Sequence, residues 1–165
     1  MKSSTAKGDS VAVAPRVGSR AEDKMNDRSI SLTSDAAGGC LCRAIRFEVK
    51  AGDIPESGYC HCRTCQQQSG APVVAWFAVA PRRLKYLKGE PAKYRASSHA
   101  TREFCAGCGT YLVFREDDPS ATVSINTAAL DEPALVPPHF HIYCDSKIAW
   151  FDTADALPRH ARGKP

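Results

Sequence analysis

Long hydrophobic runs are missing from this chain of 165 residues. The longest candidate near the N-terminus, residues 11–14, is ended by Pro15, and no apolar stretch approaches the roughly 20 residues that a membrane helix needs. Neither a secretory signal nor a membrane span is therefore expected. We expect a cytoplasmic protein in a reducing compartment, where structural disulfides are rare.

Several signatures of catalysis are also absent. The sequence has no glycine-rich phosphate loop and no repeat of solenoid length. Four of its histidines, His99, His139, His141 and His160, stand at no spacing to a carboxylate or a nucleophile that would indicate acid–base chemistry. Chemistry must therefore be sought in another residue type.

The formal net charge of +4 belongs to the ends of the chain. Residues 1–34 hold six basic and four acidic side chains, and residues 156–165 hold three basic and no acidic ones, so residues 35–155 carry 13 basic and 14 acidic side chains. Metal-bound thiolates would make this central part more negative still. Nucleic acid is therefore not an expected partner.

Composition divides the chain into three parts. Residues 1–34 are rich in Ser, Ala, Lys and Asp without apolar periodicity, which predicts a disordered N-terminal extension, with Met25 as a second possible start and 30–33 as a place where order could begin. Residues 35–155 are predicted to form one domain. Residues 156–165 are predicted to be a flexible basic tail.

Between these ends the hydrophobic pattern has the period of two that is typical of β-strands. Ile45, Phe47 and Val49 alternate with charged residues, and 73–79 is an apolar run of strand length. Further strands are predicted at 84–87, 92–96, 101–105, 110–115, 122–126 and 139–143. Helical turns are predicted only at 62–69 and 127–130. The sequence predicts a mainly β fold of antiparallel sheets, a sandwich or a folded-over sheet, with metal at its rim.

Seven of the eight cysteines fall into three clusters. These are Cys40 with Cys42, then Cys60, Cys62 and Cys65, then Cys105 with Cys108. Zinc binds thiolates at about 2.3 Å, which places neighbouring sulfurs roughly 3.7 Å apart, and residues two or three apart at a strand end or a tight turn can provide that spacing. The two pairs predict one closed structural site, and the triplet predicts a site with an open fourth position, as in catalytic zinc centres.

The fourth position of the triplet site has several possible occupants. His61 lies within the triplet, but its side chain points away from Cys60 and Cys62 if the segment is extended. Cys144 is the remaining cysteine, and an exogenous thiol is the third possibility. A disulfide framework is the competing reading of all eight cysteines, which the expected reducing compartment disfavours. A metal-bound thiol ionises to the thiolate that attacks aldehydes.

The cysteine motifs resemble one known family. The cysteine segments are Gly39-Cys40-Leu41-Cys42, Cys60-His61-Cys62-Arg63-Thr64-Cys65 and Phe104-Cys105-Ala106-Gly107-Cys108-Gly109, and His139-Phe140-His141-Ile142-Tyr143 and Trp150 lie further on. Together these segments resemble the glutathione-dependent formaldehyde-activating enzymes. The resemblance covers about residues 30–152. Arg43, where the family usually has a small residue, and Cys144 depart from its pattern.

This resemblance implies a fold, a cofactor and an activity. It implies the Mss4-like β fold shared with centromere protein V, and two zinc ions per chain. The structural ion would be held by Cys40, Cys42, Cys105 and Cys108, and the catalytic ion by Cys60, Cys62 and Cys65. The implied activity is that of a carbon–sulfur lyase acting on a glutathione–aldehyde adduct such as S-hydroxymethylglutathione.

Two further questions follow from the resemblance. A non-catalytic, zinc-stabilised interaction module of the Mss4 or centromere protein V type is the alternative function, because a fold alone does not fix an activity. Arg63 and Arg102 lie near the cysteine clusters and are either ligands for glutathione carboxylates or ordinary solvated or fold-bridging arginines. The sequence leaves the oligomeric state open.

Overall fold

The computed structural model describes residues 30–164. These form twelve strands and one α-helix, together with four short 3₁₀ turns. In chain order the strands and the helix are β1 Ile30–Leu32, β2 Ala36–Gly39, β3 Arg46–Val49, β4 Gly52–Ile54, β5 Glu56–Cys60, α1 Arg63–Ser69, β6 Val74–Val79, β7 Leu84–Lys88, β8 Ala92–Ser97, β9 Ala100–Phe104, β10 Tyr111–Glu116, β11 Val123–Asn126 and β12 His141–Ile142. The 3₁₀ turns are Pro81–Arg83, Thr127–Ala129, Pro133–Leu135 and Cys144–Ser146.

The strands form three sheets. The largest has seven strands in the order β12-β5-β6-β11-β10-β9-β8, and the smaller ones are β2-β3-β7 and β1-β4. All pairings are antiparallel except that of β12 with β5, which is parallel. The predicted mainly β fold is confirmed.

One hydrophobic core joins the two larger sheets. Phe47 and Val49 of β3 are fully buried in the same cluster as Phe77 of β6 and Ile125 of β11. These residues occupy alternate positions on their strands, so each strand presents its apolar face to this cluster. Burial of such side chains contributes roughly 1.5–3 kcal/mol each to the free energy of unfolding.

The period of two located most strands, but not all of them. The strands predicted at 84–87, 92–96, 101–105, 110–115 and 122–126 correspond to β7 to β11, the predicted 62–69 turn is α1, and the 127–130 turn is a 3₁₀ turn. The predicted strand at 139–143 is limited to His141 and Ile142. Strands β2, β4 and β5 were not predicted. In β5, Gly58 and its neighbours show no alternation. A side chain at Gly58 would lie 2.9 Å from the Phe140 ring, so close packing requires glycine there.

Both ends of the described chain differ from the predicted boundaries. Residues 30–32, assigned to the disordered extension, form β1 and pair with β4, while residues 1–29 lie outside the described residues. The segment predicted to be a flexible tail is also ordered in part. The His141 amide donates to the Pro158 carbonyl at 2.8 Å, and the His160 amide donates to the His141 carbonyl at 2.9 Å. This backbone pairing corrects the prediction for the middle of the tail.

Within residues 30–164, no helix is long and apolar enough to cross a membrane.

Candidate metal centres

The structure brings seven cysteines together as two clusters. The first, called the four-cysteine cluster, comprises Cys40, Cys42, Cys105 and Cys108; the second, called the three-cysteine cluster, comprises Cys60, Cys62 and Cys65. Within each cluster all sulfurs lie within 4.8 Å of one another. The grouping agrees with the sequence-based hypothesis, and every cysteine of the described residues is a free thiol.

The first half of the four-cysteine cluster is a tight turn between β2 and β3. The Arg43 amide donates to the Cys40 carbonyl at 2.9 Å, and the Ile45 amide donates to the Cys40 sulfur at 3.2 Å. Arg43 has φ 61°, in the left-handed region that favours glycine. The turn therefore explains why a small residue would suit this position.

The second half is the turn between β9 and β10. The Gly109 amide donates to the Cys105 carbonyl at 2.8 Å, and the Cys105 amide donates to the Thr110 carbonyl at 3.0 Å. Gly109 has φ 76°, in the left-handed region that favours glycine, whereas Gly107 does not lie in that region. The Cys42 sulfur lies 3.5 Å from that of Cys40 and 3.7 Å from that of Cys105, so the cluster connects the two turns.

The three-cysteine cluster is built at the junction of β5 and α1. Cys60 ends β5, and Cys62 is the N-cap of α1, its sulfur accepting a hydrogen bond from the Cys65 amide at 3.4 Å. Gly70 ends the helix in the left-handed conformation, with φ 68°. The strand end and the first helical turn together hold the three sulfurs on one side of the loop.

The two clusters differ in their exposure to a cavity. The three-cysteine cluster lines a cavity of about 660 Å³ with Trp76, Tyr111 and Phe114. Glu56, Glu116, His99 and Arg102 are the charged and titratable side chains at its wall besides the cysteines and tyrosines. The four-cysteine cluster contributes only Cys40 to a smaller cavity of about 300 Å³.

Hydrogen bonds among the thiols lower the pKa of some cysteines and raise that of their neighbours. Hydrogen bonding with the Cys60 and Cys65 thiols lowers the pKa of Cys62, while the hydrogen bond with Cys62, assisted by burial, raises the pKa of Cys60. Hydrogen bonding within the three-cysteine cluster therefore favours ionisation of Cys62 and opposes that of its two neighbours. In the other cluster a hydrogen bond from the Thr110 hydroxyl lowers the pKa of Cys108 to about 5.

The chemistry of both donor sets suits a soft divalent metal ion. In the four-cysteine cluster, sulfurs separated by 3.5 and 3.7 Å are at the spacing of thiolates on one tetrahedral zinc ion, and too far apart for disulfide bonds. The sulfurs of the three-cysteine cluster lie within 4.8 Å of one another. Four thiols complete such a coordination sphere, whereas three leave one position for another ligand. The described residues thus fit a closed centre and an open one.

Neither candidate for a fourth protein ligand joins the three-cysteine cluster. His61 is fully buried, and its Nε2 lies 2.9 Å from Nδ1 of His141. His141 Nε2 in turn lies 3.0 Å from the Asp155 carboxylate. Cys144 begins a 3₁₀ turn and is half-buried. The His61 side chain points away from the sulfurs, as the alternation along an extended segment predicted.

The chain of His61, His141 and Asp155 was not predicted from the sequence. Because the carboxylate only accepts, His141 Nε2 donates to Asp155, and His141 Nδ1 shares a second hydrogen bond with His61 Nε2. Burial, reinforced by the neighbouring His141, lowers the pKa of His61. The chain fixes the loop of the three-cysteine cluster to the C-terminal segment. A separation of 80 positions between the two histidines leaves no local sequence signal.

The two arginines near the clusters occupy different environments. Arg63 is exposed on α1, and its Nη1 donates to Oε1 of the buried Gln66 at 3.1 Å. Arg102 of β9 is only 6% exposed, and its Nη2 donates to the Cys65 sulfur at 3.6 Å. Of the two, Arg102 contacts the three-cysteine cluster.

Fold and site together define a class: a mainly β protein with two thiol clusters that could each hold a metal ion, one of them facing a cavity. A family model described as "Glutathione-dependent formaldehyde-activating enzyme" matches residues 35–146. The chain belongs to this family. The match includes both clusters.

Two individual proteins are also similar to this chain. An uncharacterized lyase of Schizosaccharomyces pombe is 36% identical over 77 residues, or 47% of this chain. That match spans about half of the relative's own length, 55%. A crystal structure of a Rhodobacter sphaeroides protein aligns with a TM-score of 0.47 and 24% identity over 62% of this chain and 91% of that one.

Proposed function

We propose that this protein is a zinc-dependent enzyme of the carbon–sulfur lyase type, acting on an adduct of glutathione, or of another thiol, with an aldehyde such as formaldehyde. The observation that carries the proposal is the three-cysteine cluster, which has three thiols at the wall of a cavity and no fourth ligand from the described residues. Membership of the family and the name of the S. pombe relative support a lyase-type activity.

The reaction is a balanced addition and its reverse. In the direction of addition, a carbon–sulfur bond forms between the thiol sulfur and the aldehyde carbon, the carbonyl π bond breaks, and the proton from sulfur is replaced by one on oxygen. The lyase direction breaks the same bond and returns thiol and aldehyde. No oxidant or reductant is needed in either direction.

Each cluster has a separate proposed role. Cys60, Cys62 and Cys65 would hold the catalytic zinc ion, and Cys40, Cys42, Cys105 and Cys108 the structural one. When bound, zinc supplies a Lewis acid that keeps a coordinated thiol ionised near neutral pH. The zinc ligands need reduced thiols, which suits the cytoplasmic location expected from the sequence.

The residues of the cavity provide binding and orientation. Trp76, Tyr111 and Phe114 supply aromatic walls, while Glu56 and Glu116 supply carboxylates that can receive an ammonium group such as that of glutathione. Burial raises the pKa of Tyr111, so its phenol stays protonated and can donate a hydrogen bond. Protons exchange with water that enters the cavity.

Exchange spectroscopy by NMR tests this function. Zinc-loaded protein is added to glutathione and ¹³C-formaldehyde, and the exchange rate between free and adduct glutathione is measured above the spontaneous background. We expect enhancement by the wild type and by Cys144→Ser, a matched control outside both clusters, and its loss in Cys62→Ser. If the wild type holds both metal ions but the exchange rate does not exceed the spontaneous background, the proposal is contradicted and the interaction module is favoured.

A further inference from the structure

Arg102 is a buried cation held against the three-cysteine cluster. Its Nη1 donates to Gln68 Oε1 at 2.6 Å, and its Nη2 donates to the Cys65 sulfur at 3.6 Å. The guanidinium carbon lies 5.1 Å from the centre of the Phe114 ring and 5.5 Å from that of Tyr111. Its position is therefore fixed by two aromatic rings, one amide and one sulfur.

This cation has no carboxylate partner among residues 30–164. The adjacent Glu103 pairs with Arg115 at 3.1 Å instead, and Nε of Arg102 has no hydrogen-bond partner. A guanidinium remains protonated in proteins, and burying an uncompensated charge is costly. Among the described residues, the sulfur of Cys65 is the contacted group that can balance this positive charge once it is ionised as a metal ligand.

The charge balance of a loaded centre shows what this cation can do. Three thiolates with one divalent ion carry a net charge of −1, and a fourth thiolate would raise it to −2. Coulomb attraction at contact distance is strong at a partly buried site, so one positive charge beside Cys65 offsets much of this unfavourable accumulation. A neutral fourth ligand, which adds no charge, gains less from the same cation.

We infer that Arg102 is a specificity-determining residue whose fixed positive charge favours an anionic sulfur over a neutral ligand at the open position of the three-cysteine cluster. The inference rests on the function proposed above and deepens it. Arg102 acts through its charge and through Cys65, so it is a positioning residue and takes no part in proton transfer. The competing role is structural: a planar side chain that fills the space between Tyr111 and Phe114.

Ligand selectivity separates these roles. The full chain loaded with two Co²⁺ ions is titrated with glutathione and, separately, with imidazole as a neutral ligand, and the visible absorption of the metal is recorded. Arg102→Met should weaken glutathione binding by about tenfold or more and change imidazole binding by less than about threefold. Arg102→Lys should stay within about threefold of the wild type for both ligands.

A control and a second variant make the result decisive. Arg95→Met removes the same charge from the neighbouring strand β8, where Arg95 pairs with Asp117, and should bind both ligands as the wild type does. If Arg102→Met does not retain both metal ions, the glutathione and imidazole titrations are repeated on Arg102→Gln, and the relative weakening of the two ligands is compared there.

Two results would overturn the inference, and they are distinguishable from failure of the proposed function. Equal weakening of glutathione and imidazole, or a lysine variant as weak as the methionine variant, would assign Arg102 a structural role while leaving the function intact. A wild type with both metals bound but no response to glutathione would contradict the proposed function itself.

Discussion

The four-cysteine and three-cysteine clusters use the same ligand atom but lie in different surroundings. Cys40 and Cys105 belong to the hydrophobic core, and the four-cysteine cluster joins the β2–β3 turn to the β9–β10 turn. The three-cysteine cluster lies at the end of one strand and the start of one short helix, at the wall of a cavity. The two clusters therefore share the type of ligand and differ in the number of thiols and in access to the cavity.

Loss of the four-cysteine cluster should have the largest effect. Cys105→Ser removes a thiol that is buried in the core and belongs to the cluster between the seven-stranded and three-stranded sheets. Binding of a structural zinc contributes on the order of 10 kcal/mol to the folding of small domains, as much as the whole stability of many proteins. We expect no cooperative thermal transition by circular dichroism. A folded Cys105→Ser variant with wild-type stability would show that this cluster is not structural.

The chain of His61, His141 and Asp155 holds the loop of the three-cysteine cluster and can be disrupted without changing a cysteine. His141 is fully buried, with the Tyr59 ring stacked 4.9 Å away and hydrogen-bond partners at both nitrogens. His141→Ala should lower the free energy of unfolding by about 2–4 kcal/mol, because it leaves a cavity and unpaired polar groups. Urea unfolding measures this change. His99→Ala is the control, because His99 is exposed. Equal stabilities of the two variants would contradict a stabilising role for His141.

The hydrogen bond between His141 and Asp155 should also make the stability of the protein depend on pH. Burial of Asp155 disfavours its charge, but hydrogen bonds from His141 and the Leu157 amide outweigh it and lower the pKa to about 2, below the ordinary 3.8. Its contribution is therefore complete above about pH 4 and is lost as the pH falls towards 2. The difference in unfolding free energy between wild type and Asp155→Asn should shrink over this window. If the difference in unfolding free energy between wild type and Asp155→Asn does not change with pH, ionised Asp155 does not stabilise the fold as described.

Removal of the open centre alone should leave the fold intact. Cys62→Ser removes one thiol of three and should eliminate one of two bound zinc ions, lowering the free energy of unfolding by about 1–2 kcal/mol through lost metal binding. Metal content by mass spectrometry and unfolding by urea measure both effects. Loss of both ions from Cys62→Ser would mean that the clusters are not independent.

The smallest expected effect is at the turn of the four-cysteine cluster. Arg43 adopts φ 61°, where a side chain is strained and glycine is not. Arg43→Gly should raise the free energy of unfolding by about 0.5–1 kcal/mol, and the melting temperature should rise slightly with it. Arg63→Gly, in the helix α1, is the control and should destabilise. Destabilisation by Arg43→Gly would show that the arginine side chain stabilises this turn by more than its backbone strain costs.

The sequence was most informative where the relevant spacing is local. Residues two or three apart, such as Cys60, Cys62 and Cys65, are held together by one turn, and alternation along β3 follows from one buried face. The pairing of the two cysteine pairs across more than sixty residues was proposed from chemistry, since a closed zinc centre needs four thiols.

Long-range contacts were not accessible in the same way. The parallel pairing of β5 with β12 depends on backbone hydrogen bonds between segments far apart in the chain. Gly58 of β5 is needed because Phe140 packs directly on it. The C-terminal residues pair through their backbones as well, so their polar composition resembled a tail. The contact of Arg102 with Cys65 arises only once β9 lies beside α1.

Anomalous X-ray diffraction at the zinc edge, from crystals grown with glutathione, can show whether the two clusters differ in their coordination. We expect two zinc peaks per chain. One should be bound by Cys40, Cys42, Cys105 and Cys108, and the other by Cys60, Cys62, Cys65 and the glutathione sulfur. A single peak, or a second ion closed by His61 or Cys144, would contradict this expectation.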